Sequence, residues 1–349
     1  MVPPRTSNTI PMVDFNDLTK DKQGFLAELH NAIVNVGFLY VKNTEFPECL
    51  VEELKSLLPA LFSISDSEKA EIELENSPHF LGYSAIGSET TAGASDQREQ
   101  FEFVSCQDEK WKLGMPLYLR LTGPNQYPAS LPQAQAVIEK YMQSMTEFAS
   151  HFMGLVAEAL TLPSASFRPF LSHHNRLKIV RYPAAESEGM SQGVGPHKDS
   201  SGWWTFLLQA SSPQVKGLQV LNKDGKWIDV PNIPGTFVVN IGQAFEVITL
   251  GACKATTHRV LGGSSERFSV PFFLGVRGDL TKEEALTSLA HHFPQRSTES
   301  DPGAEIDSAF LRGKYDTWGE SQLRTKIRSH RKAGKQFYPE LYERYINDS

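Results

Sequence analysis

His197-Lys198-Asp199, followed by His258 and then by Arg267-Phe268-Ser269, is the most informative part of the sequence. His197 and Asp199 are two residues apart, so on an extended strand their side chains point to the same side. His258 lies far along the chain and must come from another strand. Two imidazoles and one carboxylate can occupy one face of an octahedral metal ion and leave three positions open. The series therefore predicts a metal site with His197, Asp199 and His258 as ligands.

Arg267 and Ser269 are also two residues apart and share one face of a strongly β-prone run. A guanidinium fork beside a hydroxyl suits the distal carboxylate of a dicarboxylic acid. Taken alone, an H-x-D triplet is common in loops, and three ordinary surface residues are the alternative interpretation. The flanking β-prone runs at 177–183, 254–260 and 267–273 favour the metal site.

Composition indicates a globular enzyme without nucleic-acid or membrane partners. The 349 residues are 40% hydrophobic and 21% charged, with a net charge of −7, which argues against a general nucleic-acid binder. The three cysteines are widely spaced, so a zinc knuckle or disulfide framework is not indicated. Residues 1–8 lack the apolar core of a signal peptide, and no apolar run reaches membrane-span length. We expect a cytoplasmic monomer that acts on a small molecule.

Hydrophobic periodicity separates helical from extended regions. Apolar residues at helical spacing predict helices over 20–36, 47–62 and 134–160. Residues 81–97 are rich in Gly, Ser, Thr and Ala and predict a loop. From 176 to 277 short β-prone runs alternate with turn residues, which is typical of a sandwich or barrel.

These features occur together, in this order, in one family. The chain resembles the isopenicillin N synthase-like branch of the Fe(II)/2-oxoglutarate-dependent dioxygenases over most of residues 9–290. The motifs that carry the resemblance are Ile10-Pro11-Met12-Val13-Asp14-Phe15, Gly37-Phe38-Leu39-Tyr40-Val41, Gly82-Tyr83-Ser84, Arg181-Tyr182-Pro183, His197-x-Asp199, Gly217-Leu218-Gln219-Val220, His258-Arg259-Val260 and Arg267-x-Ser269.

The resemblance implies a mainly β fold with flanking helices (α+β), built on a double-stranded β-helix, or jelly-roll, core. It divides the chain into an N-terminal α/β region (1–105), a helical support (106–175), the jelly-roll core (176–280) and a mostly helical C-terminal extension (281–349). We expect these segments to form one compact unit.

The resemblance also implies the chemistry. Fe(II), 2-oxoglutarate and O₂ would oxidise a small molecule by hydroxylation, desaturation or cyclisation, with release of succinate and CO₂, and ascorbate should help in vitro. Arg267, Ser269 and Tyr182 would meet the distal carboxylate of 2-oxoglutarate, and Lys178 is a further expected cosubstrate contact. An isopenicillin N synthase-like oxidase that does not use 2-oxoglutarate is an alternative, because that oxidase uses the same Arg-x-Ser pair on its peptide's carboxylate. A catalytically silent binding protein is a third.

The loop from Gly82 to Gly93 looks like the corresponding loop of ethylene-forming enzyme, in which a Glu and a Thr hold an arginine substrate. Glu89 and Thr91 match those positions, and Arg328 corresponds to a C-terminal arginine, so all three are expected substrate contacts. However, Ser200 replaces a tyrosine and Lys178 an arginine of that enzyme. An ethylene-forming or arginine-hydroxylating enzyme is therefore an alternative, and a solvated charge is the other interpretation of Glu89.

A basic stretch follows near the C-terminal end, comprising Arg324, Lys326, Arg328, Arg331, Lys332 and Lys335. Because it has no interleaved aromatic residues, we interpret it as a solvated helix face. A lid over the anionic cosubstrate is the functional alternative. The sequence does not identify the primary substrate.

Overall fold

Two β-sheets face each other and form the centre of the protein. The computed structural model describes residues 9–91, 93–105, 111–185, 192–200, 202–293, 310 and 315–347. In this part of the chain the strands are β1 (Met12–Asp14), β2 (Phe38–Lys42), β3 (Gly82–Ser84), β4 (Thr90–Thr91), β5 (Ala94–Ser95), β6 (Glu99–Val104), β7 (Arg176–Tyr182), β8 (Gln192–His197), β9 (Trp204–Gln209), β10 (Leu218–Leu221), β11 (Trp227–Asp229), β12 (Thr236–Ile241), β13 (His258–Leu261) and β14 (Arg267–Leu274). The larger sheet has the order β1-β2-β12-β9-β14-β7-β6-β3, and the smaller has the order β11-β10-β13-β8.

In the described part of the chain, six α-helices precede β14 in sequence and four follow it. They are α1 (Phe15–Lys20), α2 (Lys22–Asn35), α3 (Glu48–Phe62), α4 (Asp66–Glu71), α5 (Gln133–Ala159), α6 (Gln243–Ile248), α7 (Lys282–Thr287), α8 (Trp318–Ser329), α9 (Arg331–Phe337) and α10 (Pro339–Ile346). The buried faces of α2, α3 and α5 belong to one hydrophobic cluster with the sheet. No helix in the described ranges is both long and apolar enough to cross a membrane.

Alternate side chains of β7 and β14 point to the two faces of the larger sheet, one towards the helices and one towards a cavity between the sheets. On β7, Leu177 and Ile179 belong to the cluster that faces the helices, whereas Lys178 and Val180 line a cavity between the sheets. β14 alternates in the same way, with Phe268, Val270 and Phe272 towards the helices. Successive strand residues point to opposite faces, so one strand serves both the helical layer and the cavity.

A second apolar cluster joins the two sheets and includes Val180 and Tyr182 of the larger sheet with Val194, Val220 and Val260 of the smaller one. This sheet-on-sheet packing is the double-stranded β-helix predicted from the sequence. The predicted segments 1–105 and 176–280 share the larger sheet, because β2 pairs with β12 and β6 pairs with β7.

Three boundaries differ from the sequence-based prediction. The run Ile10–Phe15 reads as a strand in the sequence, but only β1 is extended, since Asp14 accepts a hydrogen bond from the Asn16 amide and caps α1. The predicted loop at 81–97 contains β3 and the small β4–β5 hairpin. β8 ends at His197, so Asp199 lies beyond the strand on which we expected it.

Candidate metal centre and substrate cavity

His197, Asp199 and His258 meet at one end of the smaller sheet. His258 begins β13 and pairs directly with His197 at the end of β8, with ring centroids 4.3 Å apart. The Oδ1 atom of Asp199 lies 3.6 Å from Nε2 of His197 and 3.6 Å from Nε2 of His258. One ligand atom from each residue lies within 4.8 Å of the others, a spacing that can hold one metal ion. In the described part of the chain no other group of His, Cys, Asp and Glu has this arrangement.

Hydrogen bonds on the outer side of each residue fix the atoms that face the centre. The Nδ1 atoms of His197 and His258 lie 2.8 Å and 3.0 Å from the carbonyl oxygens of Gly195 and Thr256. Because a carbonyl oxygen only accepts, each Nδ1 carries the proton and each Nε2 keeps its lone pair for a metal.

Asp199 is oriented by two donors on its other oxygen. Its Oδ2 atom accepts from Thr205 Oγ1 at 2.5 Å and from Asn240 Nδ2 at 2.7 Å. Oδ1 is thereby left towards the two imidazoles. Asp199 therefore joins the cluster although it lies outside β8, because β9 and β12 supply these donors.

Burial and neighbouring groups shift the pKa values of His197 and Asp199. Burial, reinforced by His258, lowers the pKa of His197 to about 3, so its imidazole is neutral at pH 7. Burial alone would raise the pKa of Asp199, but His258 and His197 lower it below its usual value. Two imidazoles with their Nε2 atoms towards the centre and one carboxylate are the ligand set that suits Fe(II) with open coordination positions.

Arg267, Ser269 and Tyr182 form a second group on the larger sheet, here called the cosubstrate end. Arg267 pairs with Tyr182 across β14 and β7, and its guanidinium carbon lies 5.0 Å from the centre of the tyrosine ring. Its Nη2 atom donates to Gln209 Oε1 at 3.3 Å, whereas Nη1 is buried without a hydrogen-bond partner among the described residues. Burial lowers the pKa of Arg267 below its usual value. A carboxylate bound here would satisfy Nη1 and supply the missing countercharge, so the residues fit the distal end of 2-oxoglutarate.

A cavity of about 610 Å³ joins these two groups. His197, Asp199 and His258 line it on the smaller-sheet side, and β7 and β14 line it on the other. This volume is within the range of small-molecule sites in proteins. The cavity can therefore hold 2-oxoglutarate and leave space for a further small molecule.

Glu89 and Thr91 line this cavity, but protein groups already occupy much of their hydrogen-bonding capacity. Oε2 of Glu89 accepts from Arg98 Nη2 at 2.6 Å, and Oε1 accepts from Gln100 Nε2 at 2.9 Å. Thr91 Oγ1 donates to Asp96 Oδ2 at 2.7 Å. The alternative of a solvated loop charge does not hold for Glu89, which is only 8% exposed.

Arg328 does not line the cavity with Glu89 and Thr91, so the prediction that it contacts the substrate is wrong. It is not among the residues that line the cavity, and its Nη1 donates to the carbonyl oxygens of Tyr345 and Ile346. These carbonyls lie at the end of α10, where backbone acceptors lack partners within the helix and attract a cation.

Two other members of the basic stretch do reach the cavity, so the interpretation as a wholly solvated helix face is also wrong. Arg324 and Lys326 of α8 line it, and the Lys326 side chain is 12% exposed. Lys326 forms an ion pair with the fully buried Glu102, which also pairs with Arg176. The sequence analysis did not identify Glu102 or Arg176, although Arg176 shares the alternation of Lys178 and Tyr182 on β7.

The comparisons with known proteins agree with this geometry. A family model described as the non-haem dioxygenase in morphine synthesis N-terminal region matches residues 10–130, and one described as the 2OG-Fe(II) oxygenase superfamily matches residues 172–276. The chain is 40% identical over 352 residues to a 2-oxoglutarate-dependent dioxygenase of Dothideomycetidae sp. (strain 11243), covering 96% of this chain and 94% of that protein.

Two further likenesses concern a plant enzyme and a solved structure. The chain is 31% identical over 301 residues to a homoarginine-6-hydroxylase of Glycine max, covering 79% of this chain and 88% of that protein. The crystal structure of a full-length Neurospora crassa protein in complex with alpha-KG superposes with a TM-score of 0.70 at 22% identity, covering 91% of this chain and 95% of the Neurospora chain. This last likeness shows a shared fold.

Proposed function

Since the chain belongs to the 2-oxoglutarate-dependent dioxygenase family, we propose that His197, Asp199 and His258 are the ligands of its iron. The enzyme is an oxidoreductase that uses Fe(II) and 2-oxoglutarate. Bound iron and 2-oxoglutarate supply the oxidation itself, in which O₂ is consumed and succinate and CO₂ are released with the oxidised substrate. The observation that carries the ligand assignment is the convergence of both Nε2 atoms on Oδ1 of Asp199, at 3.6 Å each.

At the cosubstrate end, we assign the distal carboxylate of 2-oxoglutarate to Arg267 and Ser269, with Tyr182 packed against the guanidinium. The unpartnered Nη1 of Arg267 supports this assignment. The sequence also predicts a cosubstrate contact for Lys178, but Lys178 lies four residues along β7 from Tyr182. At about 3.3 Å per strand residue, this separation is about 13 Å. We therefore reassign Lys178 to the opposite part of the cavity.

A second candidate function is the hydroxylation of a cationic amino acid. The likeness to the Glycine max homoarginine-6-hydroxylase and the presence of Glu89 and Thr91 in the cavity favour it. The ion pair between Glu89 and Arg98 weighs against it, because a protein guanidinium already binds the carboxylate. An isopenicillin N synthase-like oxidase has less support, since the named relatives with high coverage depend on 2-oxoglutarate.

The cosubstrate assignment is tested by titrating 2-oxoglutarate into the anaerobic Fe(II) protein and following the charge-transfer absorbance. Arg267→Leu should weaken binding by about 10–100-fold, because a charge-assisted pair contributes roughly 1.5–3 kcal/mol. Ser269→Ala should weaken it less, because a neutral donor is lost. Arg168→Leu, which changes an exposed arginine, is the matched control. Equal affinity in the wild type and Arg267→Leu would exclude the assignment.

A further inference from the structure

The cavity has a basic end opposite the cosubstrate end. Its cationic residues are contributed by the loop before β6, by β7 and by α8, and they surround two buried carboxylates. We define the basic end as Arg98, Arg176, Lys178, Arg324 and Lys326, with Glu89 and Glu102 between them. Arg98 also pairs with the buried Asp96 at 3.2 Å and contacts Tyr182, so it lies between the two ends of the cavity, and these five cationic side chains meet three carboxylates.

Glu89 cannot act as a free anion for a cationic substrate. Oε2 is held by Arg98 at 2.6 Å, and Oε1 lies 2.9 Å from Gln100 Nε2 and 3.0 Å from His330 Nε2. Burial alone would raise the pKa of Glu89, but Lys178 and Arg98 hold it well below its usual value. A substrate guanidinium would therefore have to displace a buried protein guanidinium from the same carboxylate.

Glu102 of β6 is engaged by protein cations in the same way. It is fully buried and forms ion pairs with Arg176 and Lys326. Burial alone would raise its pKa, but Lys326 and Lys178 lower it below its usual value. Glu102 is thus an ionised anchor that holds cations of β7 and α8 together.

Two cations of the basic end have donors to spare: Lys178, and Arg98, whose Nε is buried without a hydrogen-bond partner among the described residues. The Nζ of Lys178 lies between the two carboxylates, 3.6 Å from Oε1 of Glu89 and 3.7 Å from Oε2 of Glu102. Both distances exceed a hydrogen bond, and no other group in the described part of the chain accepts from this nitrogen. An ammonium has three N–H donors, so at least one remains for a ligand even if both carboxylates approach. The Lys178 side chain is 17% exposed to the cavity, so an anion placed there can accept from its remaining donors.

We propose that the primary substrate carries a compact oxyanion, such as a carboxylate or phosphonate, which binds at the basic end against Lys178. Glu89 and Glu102 are positioning residues that hold the surrounding cations. This inference rests on the proposed function, because it assumes that 2-oxoglutarate occupies the cosubstrate end. It predicts discrimination against arginine-like cations, which is opposite to the role that the loop resemblance implies for Glu89.

The test compares charge-matched ligands by isothermal titration calorimetry. Full-length protein is kept anaerobic with Fe(II) and saturating 2-oxoglutarate. The ligands are hexanoate with hexanamide, 3-phenylpropanoate with 3-phenylpropanamide, 2-phenylethylphosphonate, L-arginine and L-homoarginine. At least one acid should bind tenfold or more tightly than its uncharged partner, as expected for a charge-assisted contact. The phosphonate arm shows which oxyanion is preferred. If no acid binds more tightly than its amide, the inference is overturned.

Substitutions at Lys178 and Glu89 test whether the preference for acids over amides depends on the basic end. Lys178→Met keeps the length of the side chain without its charge and should abolish the preference for acids, whereas Lys178→Arg should retain it. Lys223→Met changes an exposed lysine and is the matched control. Glu89→Gln keeps the shape and one acceptor oxygen, so acid binding should be unchanged or tighter. Binding of L-arginine or L-homoarginine that exceeds that of the acids and disappears in Glu89→Gln would overturn the inference.

The experiments distinguish a failure of the oxyanion inference from a failure of the cosubstrate assignment. The 2-oxoglutarate titration is performed first on the same preparation. If 2-oxoglutarate binds and the acids show no preference, only the oxyanion inference fails. If 2-oxoglutarate does not bind, the proposed cosubstrate end fails, and the oxyanion inference falls with it.

Discussion

The backbone carbonyls of Gly195 and Thr256 determine which nitrogen of each imidazole is available for a metal. We expect His197→Ala, Asp199→Ala and His258→Ala each to abolish 2-oxoglutarate decarboxylation, because two remaining ligands hold Fe(II) poorly. Iron content after dialysis and succinate release are the measurements. Turnover that persists in EDTA, or in any one of the three variants, would contradict the ligand assignment.

Thr205 should contribute to iron binding without touching the metal. Its hydroxyl donates to Oδ2 of Asp199 at 2.5 Å and helps to orient Oδ1. Thr205→Val keeps the shape and removes this donor, so the dissociation constant for Fe(II) should rise by roughly 10–100-fold. Thr287→Val, on an exposed face of α7, is the control. Unchanged iron affinity in Thr205→Val would show that Asn240 alone orients the carboxylate.

At the level of elements, α8 supplies a wall of the basic end through a buried lysine. Lys326 pairs with Glu102 of β6, and Arg176 and Lys178 of β7 lie nearby. Burial, aided by these two neighbouring cations, lowers the pKa of Lys326 to about 7 against the attraction of Glu102. Binding of an oxyanion at the basic end should therefore weaken as the pH rises through about 7, since Lys326 loses its charge there. Calorimetric titrations of the tightest acid across this range measure the effect, and Lys326→Met should remove this part of the pH dependence.

The lowered pKa of Lys326 should also affect how the free energy of unfolding depends on pH. The pKa of Lys326 in the folded protein is below its ordinary value of 10.5. Between about pH 7 and 10.5 the unfolded chain therefore binds more protons at this group than the folded chain, and its contribution to the free energy of unfolding rises with pH. Denaturant unfolding of the wild type and Lys326→Met at several pH values compares the slopes. Identical slopes would contradict the lowered pKa.

The sequence predicted the elements whose stability comes from their own periodicity. The helix predicted at 47–62 is α3 (Glu48–Phe62), and that predicted at 134–160 is α5 (Gln133–Ala159), because a continuous apolar face determines both. β3, β4 and β5 were missed, since short strands depend on partners that a local pattern does not reveal. Strand alternation was the wrong reason for placing Asp199, which is oriented by donors from β9 and β12.

The candidate site also contains residues that sequence motifs reveal and residues that only tertiary packing brings together. His197, Asp199 and His258 stand in short motifs, and their possible ligand atoms lie within 4.8 Å of one another in the structure. Arg98, Glu102 and Lys326 meet only through tertiary packing of three separate elements, and no spacing in the sequence indicates that they do. Arg328 was assigned by its position in a related enzyme, and packing of α8 against α10 directs it elsewhere.

For the molecule as a whole, the reaction outcome should follow from which substrate the basic end of the cavity can bind. We expect little or no ethylene from 2-oxoglutarate, because Arg98 occupies Glu89 and the arginine site of ethylene-forming enzymes is not reproduced. Ser200 and Lys178 also differ from the residues of those enzymes. Gas chromatography of the headspace above enzyme with Fe(II), 2-oxoglutarate, ascorbate and L-arginine is the measurement. An ethylene yield comparable to that of succinate would show that the Glu89 loop governs the outcome instead.

During translation, the proposed iron and 2-oxoglutarate residues are synthesised before α8, which lines the same cavity. Every proposed iron and 2-oxoglutarate residue has been translated by Ser269, whereas α8, which hydrogen bonds to the Ser200 carbonyl through Gln322, begins at Trp318. A ribosome that adds about 5–20 residues per second needs several seconds to cover this interval. A nascent chain thus carries a complete set of metal ligands before it has the helix that closes the chamber around them. If iron binds only after the chain has left the ribosome, the iron site forms together with α8, and oxidation without a bound substrate is avoided.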